Sequence, residues 1–161
     1  IAFGTVEPGR NSMDRIDFIF APNPGEPAQP LRHIASSGEI SRVMLALKTV
    51  LAEADDIPIL VFDEIDANIG GETAVTVGRE LNKLATRRQI LCISHLPQVA
   101  ARGGAHFLVS KNVCGDRTST AITRLSENGR EREIARMLGG GEAAARHARE
   151  ILRCDKDSNL A

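Results

Sequence analysis

Ile57-Pro58-Ile59-Leu60-Val61-Phe62-Asp63-Glu64-Ile65-Asp66 is the stretch from which this chain's fold can be read. Ile57 to Phe62 is almost wholly apolar, the pattern of a strand buried on both faces of a parallel sheet. Two adjacent carboxylates, Asp63 and Glu64, stand at its C-terminal end. In open α/β sheets that end of a strand is where ligands bind. Side chains alternate along a strand, so the two acids point in different directions and suit two roles. One can hold a divalent metal and the other can handle an attacking water. The same residues also read as a strand followed by an acidic turn.

Outward from this strand the chain alternates helix and strand. Before it, Ser36 to Ala54 predicts a helix, with Ile40, Val43, Met44, Leu47, Val50 and Leu51 forming one apolar stripe. Ser36 and Glu39 have the Ser-x-x-Glu spacing of a capping box. After it, Gly70-Gly71 forms a turn, and Glu72 to Thr86 reads as a helix with Ala74, Val77, Leu81, Leu84 and Ala85 on its core face. A second apolar strand, Gln89 to Ser94, leads directly into His95, and a short helix follows over Pro97 to Ala101. This order places helices against a mostly parallel sheet, an α/β class.

The flanks read differently. Met13 to Ala21 alternates polar and apolar residues, a half-buried antiparallel strand with Phe3 and Val6 in its hairpin partner. Asn23-Pro24-Gly25-Glu26-Pro27 is turn chemistry. His106 to Ser110 and Ser119 to Leu125 read as a hairpin about a polar turn. Glu131 to Leu138 and Glu142 to Leu152 read as helices separated by Gly139-Gly140-Gly141, and a polar tail covers Asp155 to Ala161. The chain divides into one domain over residues 1–154 and that tail.

Composition narrows the classes. A formal net charge of −1 gives no overall basic field toward nucleic acid. Aromatics are 3% and all are Phe, which argues against a base-stacking platform. Cys92, Cys114 and Cys154 show no metal-ligand spacing; Cys92, within an apolar strand, reads as a small buried hydrophobe. A reducing, cytoplasmic setting fits this cysteine usage. No apolar run approaches the roughly 18 residues of a membrane span.

Three further features bear on chemistry. Ser36, Gly38 and Glu39 open a helix, where free backbone N–H groups and the helix dipole favour an anion such as phosphate; plain N-capping is the alternative. His95, just after a strand, could reach a terminal phosphate or be an ordinary surface residue. Asp66, with Gly70-Gly71 close behind, could line a site or simply form a turn.

Taken in order, a Ser-Ser-Gly-Glu helix, an Ile-Leu-Val-Phe-Asp-Glu strand, an acidic loop, a helix, a strand and a histidine resemble the C-terminal half of an ABC-type ATPase head. Those parts are the signature motif, Walker B, D-loop and switch histidine. Within that superfamily the sequence resembles the RecN family of bacterial SMC-like DNA repair ATPases. The stretches that carry this are Asn23-Pro24-Gly25-Glu26, Ile34 to Lys48, Phe62 to Asp66, Ile69-Gly70-Gly71, Ser94 to Ala101, and Glu133 to Gly140. His-Leu-Pro-Gln-Val-Ala and Ile-Ala-Arg-Met-Leu-Gly favour RecN over other SMC-like heads.

The resemblance implies an ATP- and Mg²⁺-dependent ATPase in DNA repair and recombination, cytoplasmic and nucleoid-associated, whose heads form an ATP-dependent homodimer. It implies that Asp63 helps hold Mg²⁺, Glu64 handles the water and His95 contacts the γ-phosphate. Ser36, Gly38 and Glu39 would belong to the signature facing the opposite head's ATP, and Asp66 would line the same interface. Two positions depart from the pattern: Ser37 stands where Gly is usual, and Asn68 where Gly is common. No Gly-x-x-x-x-Gly-Lys-Ser/Thr occurs. The chain therefore resembles a C-terminal half, inactive alone, with the phosphate cradle supplied by an N-terminal half and DNA engaged through the whole protein. Another SMC-like or RecF-like ATPase, or a non-catalytic dimerisation module, stays open.

Overall fold

The computed structural model describes residues 1–7, 13–21, 25, 27–33, 36–52, 54, 56–114 and 117–158. Strands β1 (Ala2–Thr5) and β2 (Asp14–Asp17) pair antiparallel with Phe3 opposite Ile16, the hairpin expected from the alternation. Both side chains are exposed, so this hairpin is not half-buried. Two short strands follow, β3 (Ile19–Phe20) and β4 (Gln29–Pro30), also antiparallel. Apart from Gly25 and Pro27, the turn read over residues 23–27 lies outside the described residues, as do residues 34 and 35.

The centre is a strand–helix–strand unit. Strand β5 (Ile59–Phe62) follows helix α1 (Ser37–Val50); helix α2 (Gly71–Ala85) then crosses to strand β6 (Gln89–Cys92), parallel to β5 with Phe62 opposite Cys92. Leu45, Phe62, Ile65, Ala74, Val77, Leu81, Leu84 and Val99 form its core. Full burial of such large apolar side chains is worth on the order of 1.5–3 kcal/mol each. Ala85 is exposed rather than part of that face.

The α/β class is therefore borne out, with corrections. Among the described residues the parallel part is a pair of strands, and the other three strand pairs are antiparallel. The pair is covered on one face only. Leu60, Phe62 and Ile90 turn toward the helices, whereas Ile59, Val61, Leu91 and Ile93 are between 46% and 63% exposed. The apolar run is not buried on both sides because α1 and α2 pack against a single face. Cys92 is likewise exposed rather than a buried hydrophobe. Its thiol is nonetheless pushed up to about 12, first by desolvation and then by Asp66 and Asp63. The residue keeps exposed surface while its thiol is desolvated, and both neighbouring carboxylates act in the same upward sense.

Helix α1 has the expected period and a different phase. Ile40, Met44, Val50 and Leu51 are exposed, while Gly38 and Leu45 are buried. The packed face runs Gly38–Arg42–Leu45–Thr49, because the Arg42 guanidinium donates to the carbonyls of Ile65 (3.2 Å) and Ala67 (2.9 Å).

Helix α3 (Pro97–Ala100) leads to a long hairpin of β7 (Phe107–Cys114) and β8 (Arg117–Arg124), with Val109 opposite Ile122. Helix α4 (Glu127–Met137) starts earlier than its apolar pattern, because the Ser126 hydroxyl caps it by accepting from the Gly129 N–H at 3.2 Å. Helix α5 (Gly141–Ser158) continues past Leu152, where the sequence pattern ends it, into the stretch read as a polar tail. Residues 159–161 lie outside the described residues. Ala101, Ile134, Ala135 and Ala148 form a second core between α3, α4 and α5. Among the described residues no helix is long and apolar enough to cross a membrane.

Candidate functional site

Three segments meet at the C-terminal edge of the parallel pair: the loop after β5, the loop after β6 and the N-terminus of α1. The β5 loop turns sharply. Glu64 and Asn68 both take left-handed backbone, with φ of 55° and 59°. Asn tolerates this well. Glu64 does not, and such a residue stores roughly 1–3 kcal/mol that its surroundings must offset.

The N-terminus of α1 supplies part of that support. The Ser37 hydroxyl donates to Glu64 Oε2, and the Ser41 hydroxyl donates to the Asp63 carbonyl at 3.0 Å. Gly38 is buried against the loop: a Cβ there would lie 2.9 Å from the Glu64 carbonyl oxygen and 2.9 Å from the Ala67 Cβ. Only glycine allows this approach. The capping box is not formed, since Ser36 makes no side-chain cap hydrogen bond and the neighbouring hydroxyl, Ser37, turns to Glu64 instead. Glu39 lies in the first turn of α1, half-buried, where its charge suits the helix N-terminus.

Asp66 is 1% exposed and joins the two loops. Its Oδ2 accepts from the Ser94 hydroxyl at 2.6 Å, the His95 N–H at 2.8 Å and the Leu96 N–H at 3.0 Å. Burial alone would raise its pKa, but these three donors and the adjacent His95 outweigh it and hold the carboxyl below its ordinary value. His95 Nδ1 lies 3.2 Å from Asp66 Oδ1 without hydrogen-bond alignment, and the imidazole is 68% exposed. Asp66 is thus buried at this edge, with its carboxylate turned toward the loop after β6. It is enclosed by its own chain and sets the position of His95.

Of the residues read from the sequence, Asp63, Glu64, His95, Asp66, Gly38 and the Ser36–Ser37 helix start come together at this edge. Asp63 and Glu64 are exposed. Among the described residues no group of three or more His, Cys, Asp or Glu could hold a metal ion. Asp63 and Glu64 are the exposed carboxylate oxygen donors at this edge, and one or two carboxylates are what a Mg²⁺ ion shared with substrate phosphates would ask of a protein. The sequence reading missed Arg42 and Ser94 as groups that build the site. The signal for Ser94 was its place between β6 and His95; Arg42 had none beyond its place on α1. The edge is open. A cleft of about 320 Å³, lined by Thr49, Val50, Ala52, Lys83, Leu84 and Arg87, lies at the opposite end of α1 and holds none of these groups.

No protein-family model matches the chain. Among curated proteins, DNA repair protein RecN of Treponema pallidum is 47% identical over 148 residues, 90% of this chain and 26% of that protein. RecN of Xylella fastidiosa is 49% identical over 133 residues, 83% of this chain and 24% of that protein. The resemblance read from the sequence is thus borne out, and the chain spans about a quarter of the length of these relatives. Among solved structures, the SMC head domain from Thermotoga maritima is 29% identical at a TM-score of 0.45, covering 64% of this chain and 37% of that one.

Proposed function

We infer that this chain is a segment of a RecN-family protein, and on that premise we propose that it forms the C-terminal lobe of an SMC-like ATPase head. The head would act in DNA double-strand break repair and recombination, in the cytoplasm at the nucleoid. The observation that carries this reading is one edge of the parallel pair, where Asp63 and Glu64 end β5 and Asp66 ties the His95 loop after β6 beside them. Phosphoryl transfer needs little covalent help from protein; it needs positioned charges and a positioned water.

In this reading Asp63 would hold Mg²⁺ on the nucleotide, which would supply positive charge against the phosphate oxygens. Glu64, fixed by the left-handed turn and by Ser37, orients the attacking water and accepts its proton. His95 contacts the γ-phosphate, its loop held by Asp66. Ser36 and Gly38, at the N-terminus of α1, serve the ATP of a second head, with Glu39 in the same turn. Asp66 takes the role of a positioning group rather than an interface residue. An N-terminal half with the Walker A loop completes the site. The uncovered apolar face of β5 and β6 supports the need for further structure, since contiguous exposed apolar surface usually marks an interface. ATP binding closes two heads into a homodimer, hydrolysis opens it, and the whole protein engages DNA.

The test is Glu64→Gln in the full-length protein. Hydrolysis should fall by about 10²-fold, as for a lost general base, while ATP-bound dimers accumulate in sizing chromatography. A variant that stays monomeric with ATP counts against the two-head mechanism.

A further inference from the structure

Helix α4 carries a group that this chemistry does not use. Arg130 is 8% exposed, and its guanidinium donates to the carbonyl of Ala101, which is fully buried. A desolvated cation is costly unless it meets an acceptor. The acceptor here lies just past the C-terminal end of α3, where helix carbonyls lack partners and a positive charge is favoured.

Helix α3 has only four residues, far too few to be stable by itself. It is held from three sides. At its start, Asp66 takes the Leu96 N–H at 3.0 Å. Against α2, Gly78 permits close approach: a Cβ there would lie 2.8 Å from Arg102 Cγ and 3.2 Å from the Gln98 carbonyl. At its end, Arg130 holds Ala101, and Ile134, Ala135 and Ala148 pack around that residue. The Leu96 carbonyl accepts from Val99 and Ala100 at 3.2 and 3.0 Å, so the helical turn begins immediately after His95. A displacement at Ala101 is therefore carried to His95 through one turn of backbone.

We propose that Arg130 is a positioning residue for His95: it fixes the far end of α3, and α3 fixes the loop that presents the imidazole. This rests on the reading of His95 as a phosphate-contacting group. A merely stabilising Arg130 would leave the His95 environment unchanged in whatever protein remained folded.

The experiment uses the full-length protein with Arg130→Met, which keeps most of the volume and removes the donors. ATP turnover should fall about tenfold or more, within the ~10²-fold that a misplacement of roughly 1 Å can cost. Nucleotide affinity should change by less than about twofold, since uniform binding is not what is lost. In a His95→Ala background the same substitution should cause no further fall. The second readout is the ¹⁵N-histidine NMR spectrum, in which the His95 signals should shift. Turnover losses that multiply with His95→Ala, or unmoved His95 signals, would overturn the proposal. Should His95→Ala retain full turnover, the phosphate-contact reading falls, while shifted His95 signals still support the Arg130 link. Should Arg130→Met fail to fold, Arg130→Gln is read by the same measurements and outcomes.

Discussion

The Asp66 carboxylate is buried beneath His95, taking the histidine's own N–H at 2.8 Å and lying 3.2 Å from its Nδ1. One carboxylate therefore fixes the backbone of a residue whose ring faces solvent and lies beside its second oxygen. Asp66→Asn would turn an amide N–H₂ or a single oxygen toward the Ser94, His95 and Leu96 donors. Leaving buried donors unmatched costs about 1–3 kcal/mol. The acid response should change too. Because the folded pKa lies below the ordinary 3.8, Asp66 contributes stability that is present above pH 3.8 and is lost as pH falls through the folded value. Urea unfolding midpoints of the wild type and Asp66→Asn, followed below pH 5, should converge as pH drops. A constant gap would exclude this linkage.

His106 sets a second pH dependence of the same sign. Burial, then the Arg130 charge, pulls its pKa below 6.5, with Glu133 partly opposing. The unfolded chain takes up the proton more readily than the folded one. Stability is therefore full above pH 6.5 and falls as pH drops through the folded value. His106→Gln should flatten the thermal midpoint between about pH 7.5 and about pH 5.5, the range in which histidines titrate. An unchanged slope in that variant would assign the dependence to other groups.

Gly38 tests the contact between α1 and the Glu64 turn. A Cβ would meet backbone and side-chain atoms at 2.9 Å, and neither is the free end of a flexible chain. Gly38→Ala should destabilise by about 1–3 kcal/mol, the usual cost of overpacking. Ser37→Ala should leave the fold intact and release the Glu64 carboxylate, lowering turnover several-fold with unchanged nucleotide affinity. Wild-type turnover in Ser37→Ala would mean that the hydrogen bond does not orient Glu64.

Much of the centre was legible in the sequence because its signals are local. The apolar run into Asp63-Glu64, the period of α2 and the apolar strand before His95 each lie within one element, and each element formed. What was not legible depends on partners distant in sequence. Asp66 reads as a turn residue until the donors some 28 to 30 positions later are in place. The phase of α1 could not be read from hydropathy, because the packed face is chosen by Arg42 reaching two loop carbonyls. Ser36 and Ser37 are adjacent hydroxyls, and only the loop's position shows that the second one serves Glu64. The exposed side of β5 and β6 follows from which helices cover the pair, a property of packing rather than of the strands.

The central claim is that each catalytic site draws on two heads, and Ser36→Arg in the full-length protein tests it most directly. As a plain helix start whose hydroxyl makes no cap hydrogen bond, Ser36 would matter by less than the about 1 kcal/mol of a working cap. As the group facing the other head's γ-phosphate, it should abolish turnover when bulky while a single head still binds ATP. Mixing Ser36→Arg heads with Glu64→Gln heads places both defects in one composite site and neither in the other. The two-head arrangement requires that each variant alone be inactive and that the mixture regain part of the ATPase rate. Ser36→Arg heads that hydrolyse ATP at the wild-type rate would contradict it.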